Sequence, residues 1–255
     1  MAGFRKSGCA PSGAFEFEAA GLRWLNVPGG ARAVAVLDVG ESFIVTEQVC
    51  HARPSTAAAG EFGERLAVTH DAGAAGFGAR PEGYGGPCFI GQLPMAMPPA
   101  DAAPRLRWGE FYAAYRVLDP ARQALARGAL GAADMDLFER LAEKLRDGLF
   151  DDSAPAARIH GDLWSGNVLW DAAGAVLIDP AAHGGHRISD LAMLALFHAP
   201  HLETIWDAYE SATRRLPDHW RELVPLHQVN PLLVHTALFG SGFRGAAISA
   251  ATQYL

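Results

Sequence analysis

From residue 12 to residue 30 the apolar positions Phe15, Ala19, Leu22 and Leu25 recur at helical spacing, so "SGAFEFEAAGLRWLNVPGG" predicts a helix. Ser12 stands where an N-cap belongs, and Pro28-Gly29-Gly30 stops the run. The period then shortens. "AVAVLDVG" (33–40) and "SFIVTEQV" (42–49) predict two strands joined by a tight turn at Gly40-Glu41. Residues 55–72 predict a second helix, and 73–104, rich in Gly and Pro, a long loop. "WGEFYAAYRVL" and "MDLFERLAEKLRDGLF" predict amphipathic helices. Three short strand-like pieces follow: "ARIHGD", "NVLW" and "AVLID". The last two form a hairpin turning between Asp171 and Gly174. Helical "ISDLAMLALF" and two more helical stretches run to Phe239.

This pattern predicts an α+β chain: a small mixed piece, then a larger helical piece with a β-hairpin inside it. The boundary falls at "CHARP", near 50–54, giving residues 1–50 and 51–255. With 255 residues, 50% of them hydrophobic, the chain can build one domain or two lobes. A net charge of −7 gives no electrostatic case for nucleic acid or a membrane surface. No apolar run reaches the roughly 18–20 residues of a membrane span. "MAGFRKSGCA" has no signal-peptide core, so a cytoplasmic location is expected. Cys9, Cys50 and Cys88 are scattered and read as reduced thiols. Of 21 basic residues only Lys6 and Lys144 are lysines, leaving 19 arginines, so a lysine can mark a place for a compact ammonium. Lys144 reads as part of a solvated helix face; Lys6 is less easily assigned to one.

The candidate chemistry lies in "HGDLWSGNVLW" (160–170). Asp162 and Asn167 flank a loop that leads into a strand, and the hairpin returns Asp179 toward Asn167. Asn and Asp oxygens are hard ligands suited to Mg²⁺, which takes a few protein oxygens plus substrate phosphates. Asp162 remains free to accept or orient a hydroxyl proton. This is the layout of a phosphoryl-transfer site, where the protein positions reactants and neutralises charge. His160, Asp162 and Asn167, followed by a strand-end Asp179, match the kinase catalytic-loop and metal-loop order.

Such a site also needs a cation on the ATP phosphates, held by a helix carboxylate. Lys6 precedes the first helix and Glu18 lies within it; Glu16 is the competing partner, on a different helix face. "IVTEQVC" (44–50) lies where a kinase hinge would, with the backbone of Glu47 and Val49 toward the adenine edge. His183 and His186, in "HGGH", read as loop histidines near the substrate more readily than as metal ligands, because Gly184-Gly185 argues against a helix. Trp164 is placed either to stack on a sugar or to pack against the large piece. Asp38, Glu41 and Asp71 read as solvated or capping residues.

"HGDLWSGNVLW" together with "VLIDPAAHGGHRISDLAML" resembles the fructosamine kinase, or ketosamine-3-kinase, family of aminoglycoside-phosphotransferase-like kinases. "FRKSGCAPSGAFEFEAAGLRWL", "RWGEFYAAYR" and "HTALFG" are similar to further family segments, so the resemblance runs from about residue 4 to 245. It implies a two-lobed protein-kinase-like fold, with a small β-containing N-lobe and a mostly helical C-lobe carrying the catalytic hairpin. It also implies Asp162 as catalytic base, Asn167 and Asp179 as Mg²⁺ ligands and Lys6–Glu18 as the ATP-phosphate pair. His160 and Asp190 would support the loop. The implied reaction is ATP-dependent phosphorylation of a ketosamine, free or on protein, at a sugar hydroxyl, which removes early glycation.

One departure stands out. Lys6 is only the sixth residue of this sequence, so the strands and Gly-rich loop that precede this lysine in the family lie outside these 255 residues; a start placed too far downstream or a naturally shortened N-lobe would each account for it. Two further readings follow. One is a phosphotransferase for another amino sugar or an aminoglycoside. The other is a non-catalytic nucleotide- or sugar-binding module.

Overall fold

The computed structural model describes residues 3–255. Strand β1 (Gly3–Ser7) is the first element, and sequence periodicity did not show it. Lys6 therefore sits on a strand, not on a lead-in to a helix. Helix α1 (Ala14–Leu25) follows, entered through Gly13 at φ +88°. Ser12 makes no capping bond, because the left-handed Gly13 takes the N-cap position. Strand β2 (Arg32–Ala33) is two residues long. Strands β3 (Val36–Gly40) and β4 (Phe43–Glu47) make the expected hairpin, with Gly40 opposite Phe43 and the turn one residue later, at Glu41-Ser42. β1 pairs antiparallel with the other side of β4, so the sheet order is β1-β4-β3.

Helix α2 (Thr56–Asp71) starts where Ser55 caps it, its hydroxyl accepting from the Ala58 N–H at 3.2 Å. The Gly/Pro-rich stretch is ordered by a minimal hairpin, β5 (Phe89–Ile90) with β6 (Leu93–Pro94), turning at Gly91-Gln92. The segment 108–126 is one helical run in three parts: α3 (Trp108–Phe111), a π-helical stretch (Tyr112–Leu118) and α4 (Asp119–Ala126). α5 (Ala132–Arg146) completes this layer.

The segment 160–167 is held by short strands. β7 (Ala157–Ile159) enters it; β8 (Val168–Asp171) and β9 (Gly174–Leu177) form the expected hairpin, with Asp171 opposite Gly174. β10 (His183–Gly185) pairs antiparallel with β7. Residues 183–185 are thus strand, not open loop. Helices α6 (Arg187–Leu196), α7 (Leu202–Ala212), α8 (Val224–Phe239) and α9 (Arg244–Thr252) close the chain.

Two apolar clusters carry the stability. One gathers α4, α5, α8 and α9 around Phe138, Leu141, Leu226 and Leu233. The other joins Leu22 and Leu25 of α1 to Val176 and Leu177 of β9, Phe62 of α2 and Leu191 of α6. β2 also pairs parallel with β9, so packing is continuous across residue 50. That shared core fixes α1 relative to the β8–β9 hairpin. No described helix is long and apolar enough to cross a membrane.

Candidate active site

The loop between β7 and β8 is braced from below. Asp190, fully buried on α6, accepts the backbone N–H of His160 at 2.7 Å and of Gly161 at 2.9 Å. Its Oδ2 also faces His70 Nε2 at 3.1 Å, and Tyr209 lies 2.7 Å from His70 Nδ1. Burial drives the Asp190 carboxyl upward, but His70, His160 and the backbone donors outweigh it and hold the group ionised. Gly161 is at φ +80°, and a Cβ there would strike the Ala181 carbonyl.

His160 ties the loop to the hairpin end. Its Nε2 lies 2.9 Å from the Ile178 carbonyl, an acceptor only, so Nε2 carries the proton. Nδ1 then accepts the Asp162 N–H at 3.3 Å. Burial lowers the pKa of this ring and keeps it neutral. One imidazole thus links Asp162 to the residue before Asp179.

Asn167 closes the group. Its Nδ2 donates to the Asp162 carbonyl at 2.8 Å and to Asp162 Oδ2 at 3.1 Å. The amide oxygen has no donor partner among the described residues. Asp179 sits at φ +52°, a left-handed position that a non-glycine residue rarely takes. Its Oδ1 lies 3.0 Å from Lys6 Nζ, and Lys6 also reaches Glu18 Oε2 at 2.9 Å. Of the two candidate glutamates, Glu18 is therefore the one that meets Lys6. Asn167 Oδ1 and the second Asp179 oxygen are hard donors left free, which fits a magnesium ion carried in with phosphates.

Charge is expensive here. Burial pushes the Asp162 carboxyl up to about 7, against the pull of its Asn167 hydrogen bond. Burial also raises Glu18 to about 7 despite Lys6. Lys6 loses some basicity to burial but gains more from Glu18 and Asp179, and ends above its ordinary value. One ammonium is thus shared by two carboxylates in a partly dry cleft.

Two cavities meet at Lys6, Glu18 and Asp179. One, of about 630 Å³, lies beneath β1 and β4 and is lined by Ile44, Glu47, Val49 and Leu169. The Glu47 N–H is taken by the Ala35 carbonyl at 2.9 Å, and its carboxylate binds Arg32 at 2.9 Å. The other cavity, of about 500 Å³, holds Asp162, Trp164, Asn167 and the β5–β6 turn residues Gly91 and Gln92. Trp164 folds over Gly166, where a Cβ would meet the indole, and lines this cavity.

His183 and His186 do not line either cavity. Both are buried. His183 Nδ1 lies 2.8 Å from the Ala181 carbonyl and Nε2 accepts from Arg116 at 3.3 Å; burial and Arg116 push it down to about 3. His186 caps α6 through the Ile188 N–H and meets Asp152 at 3.1 Å. The strand pairing of 183–185 turns these rings inward. Asp71, read as solvated or capping, instead binds the buried Arg187 at 2.7 Å.

Sequence reading also missed His70 and Tyr209, whose isolated positions carry no motif. It missed Gly91 and Gln92 too, although "FIGQLP" carries a glycine turn between apolar residues.

The sequence profile of the family described as fructosamine kinase matches residues 9–255. The chain belongs to the fructosamine kinase family. This fructosamine kinase family member is 32% identical to the mouse ketosamine-3-kinase over 142 residues, 56% of this chain and 45% of that protein. The chain spans about half the length of the curated relatives it matches. The crystal structure of a Thermobifida fusca protein described as a fructosamine-3-kinase superposes with a TM-score of 0.89 and 44% identity, covering 98% of this chain and 84% of that one. A ternary complex of aminoglycoside phosphotransferase APH(4)-Ia with ADP and hygromycin B superposes at a TM-score of 0.60 and 17% identity, covering 98% of this chain and 86% of that one. The fold is thus the α+β, two-lobed kinase-like one.

Proposed function

We propose that this fructosamine kinase family member transfers the γ-phosphoryl group of ATP to a sugar hydroxyl of a ketosamine, with Asp162 as the base. The carrying observation is that two cavities meet at one cluster of Lys6, Glu18 and Asp179. Phosphoryl transfer needs such a junction, with nucleotide on one side and acceptor on the other.

In this reading the adenine occupies the larger cavity, against the Glu47 carbonyl and the Val49 N–H. Lys6, oriented by Glu18, holds the ATP phosphates. Asn167 and Asp179 hold Mg²⁺, which supplies charge neutralisation on the phosphates. Asp162 orients the acceptor hydroxyl and takes its proton as the bond to phosphorus forms. The Asn167 amide keeps that carboxylate aimed, and Asp190 and His160 keep the loop rigid. Trp164 offers a face for the sugar. His183 and His186 stay in the supporting interior.

The acceptor side favours a ketosamine over a polycation. The carboxylates lining the second cavity are Glu18, Asp162 and Asp179, all assigned to the reaction centre. Among the described residues no further carboxylate lines it to hold several amines.

The test is ADP release with ribulose-lysine and fructose-lysine, with Asp162→Asn protein measured alongside. Adduct-dependent turnover that disappears in Asp162→Asn supports the reading. Absence of turnover, with Mg-ATP binding intact, would assign the site to nucleotide binding without transfer.

A further inference from the structure

A path of rings, exposed at Trp164 and Phe239 and half-buried between them, leaves the acceptor cavity. Trp164, on the cavity wall, is 39% exposed and packs edge-on against Phe197 with centroids 5.9 Å apart. Phe197 lies 5.1 Å from His235. His235 in turn lies 5.4 Å from Phe239 and 5.0 Å from Phe243. Phe239, the last residue of α8, is 68% exposed, more than any other large apolar side chain among the described residues. The β5–β6 turn joins cavity and path from the other side: a Cβ on Gly91 would sit 3.8 Å from Leu238.

The path is aromatic and uncharged. His235 lies 2.7 Å from the Pro231 carbonyl, and burial lowers its pKa, so it is neutral at physiological pH. The nearby Arg244 is engaged with Asp134 at 2.7 Å. The exposed rings at Trp164 and Phe239, joined by half-buried ones, offer an apolar surface to a partner. Nothing on it selects a free amine by charge.

We infer that the Trp164–Phe197–His235–Phe239–Phe243 stripe is the docking track for the polypeptide that carries the sugar adduct. This rests on the ketosamine reading above. A free adduct fits within the 500 Å³ cavity and leaves the stripe untouched. A polypeptide cannot enter that cavity whole and must run outward over its rim. Three ring-to-ring steps beyond Trp164 match a handful of extended residues at ~3.3–3.6 Å each. Aromatic faces suit peptide planes and apolar side chains, and such rings dominate binding energy at interfaces.

The test compares free ribulose-lysine with a blocked pentapeptide that has ribulose-lysine at its centre and leucine on either side. Calorimetry gives the affinity of each adduct, and ADP release gives KM and kcat. The wild type is expected to bind the peptide at least about tenfold more tightly than the free adduct. Phe239→Ala, an exposed position that leaves the fold alone, should weaken peptide binding and raise its KM about fivefold or more. The same variant should leave KM and kcat for free ribulose-lysine within twofold, and Phe239→Tyr should restore the peptide preference. Equal affinity for both adducts in the wild type overturns the inference. So does a preference that survives Phe239→Ala combined with Phe243→Ala, or binding of neither adduct. A dimer in sedimentation that Phe239→Ala dissociates would assign the stripe to a second copy and also overturn it. Retained peptide preference without ATP turnover would refute phosphoryl transfer while leaving the docking track standing.

Discussion

Lys6 Nζ lies 3.0 Å from Asp179 Oδ1 and 2.9 Å from Glu18 Oε2, so one ammonium from an edge strand spans α1 and the end of the β8–β9 hairpin. Phosphates entering the cleft would compete with Asp179 for that ammonium, and in the proposed reaction a metal ion would replace it on Asp179. Lys6→Met is therefore expected to raise the KM for Mg-ATP about tenfold or more, since a charge-assisted contact to phosphate is lost. Steady-state kinetics beside a thermal melt checks this. An unchanged KM would remove Lys6 from the nucleotide site.

Asp162→Asn keeps the shape of the side chain and removes its capacity to take a proton. Turnover should fall by about 10²–10⁴, the usual worth of a positioned base. Affinity for Mg-ATP should change little, because Asn167 and Asp179 remain. Calorimetry and single-turnover measurements separate the two effects, and wild-type turnover in the variant would sink the assignment.

Proton release should accompany Mg-ATP binding near pH 7. Asp162 and Glu18, both raised to about 7 chiefly by burial, are each about half protonated there. A divalent cation held by Asn167 and Asp179 would lie beside Asp162 and favour its charged form, so a proton leaves that carboxyl. The release fades above about pH 8.5, where Asp162 is already ionised. Binding enthalpies in buffers of different ionisation heat measure it. No dependence on buffer at pH 7 would contradict the raised carboxyls.

Asp190→Ala removes the shared acceptor of the His160 and Gly161 N–H groups and the partner of His70, all buried. Stranding these donors should cost about 3–5 kcal/mol. At roughly 2–4 °C per kcal/mol for a chain of this size, the melting temperature should drop by about 6 °C or more. A melt within one or two degrees of wild type would show that the loop does not depend on this carboxylate.

Gly161→Ala tests the same loop through its backbone. Gly161 is at φ +80°, and a Cβ there meets the Ala181 carbonyl. Left-handed geometry alone costs roughly 1–2 kcal/mol for alanine, and the clash adds to it. Stability and turnover should both fall. A variant as stable as the wild type would mean that the loop relaxes freely.

What the sequence determined by itself was local. The helix of 14–25, the β3–β4 hairpin, the capped helix of 56–71 and the β8–β9 hairpin were legible because periodicity, caps and turn residues act within a few positions. The order His160, Asp162, Asn167, Asp179 was legible because a loop followed by a hairpin leaves little choice of geometry. Tertiary packing decided the rest. Lys6 became a strand residue only because β1 found the free edge of β4, a pairing across some forty residues. Glu18 was separated from Glu16 by which face of α1 meets Lys6. His183 and His186 went inward because β10 pairs with β7, which no local pattern in "HGGH" announces. The brace of His70 and Tyr209 on Asp190, and the ring path from Trp164 to Phe239, join residues far apart in the chain. Such contacts depend on how elements pack, and single-residue chemistry carries no record of it.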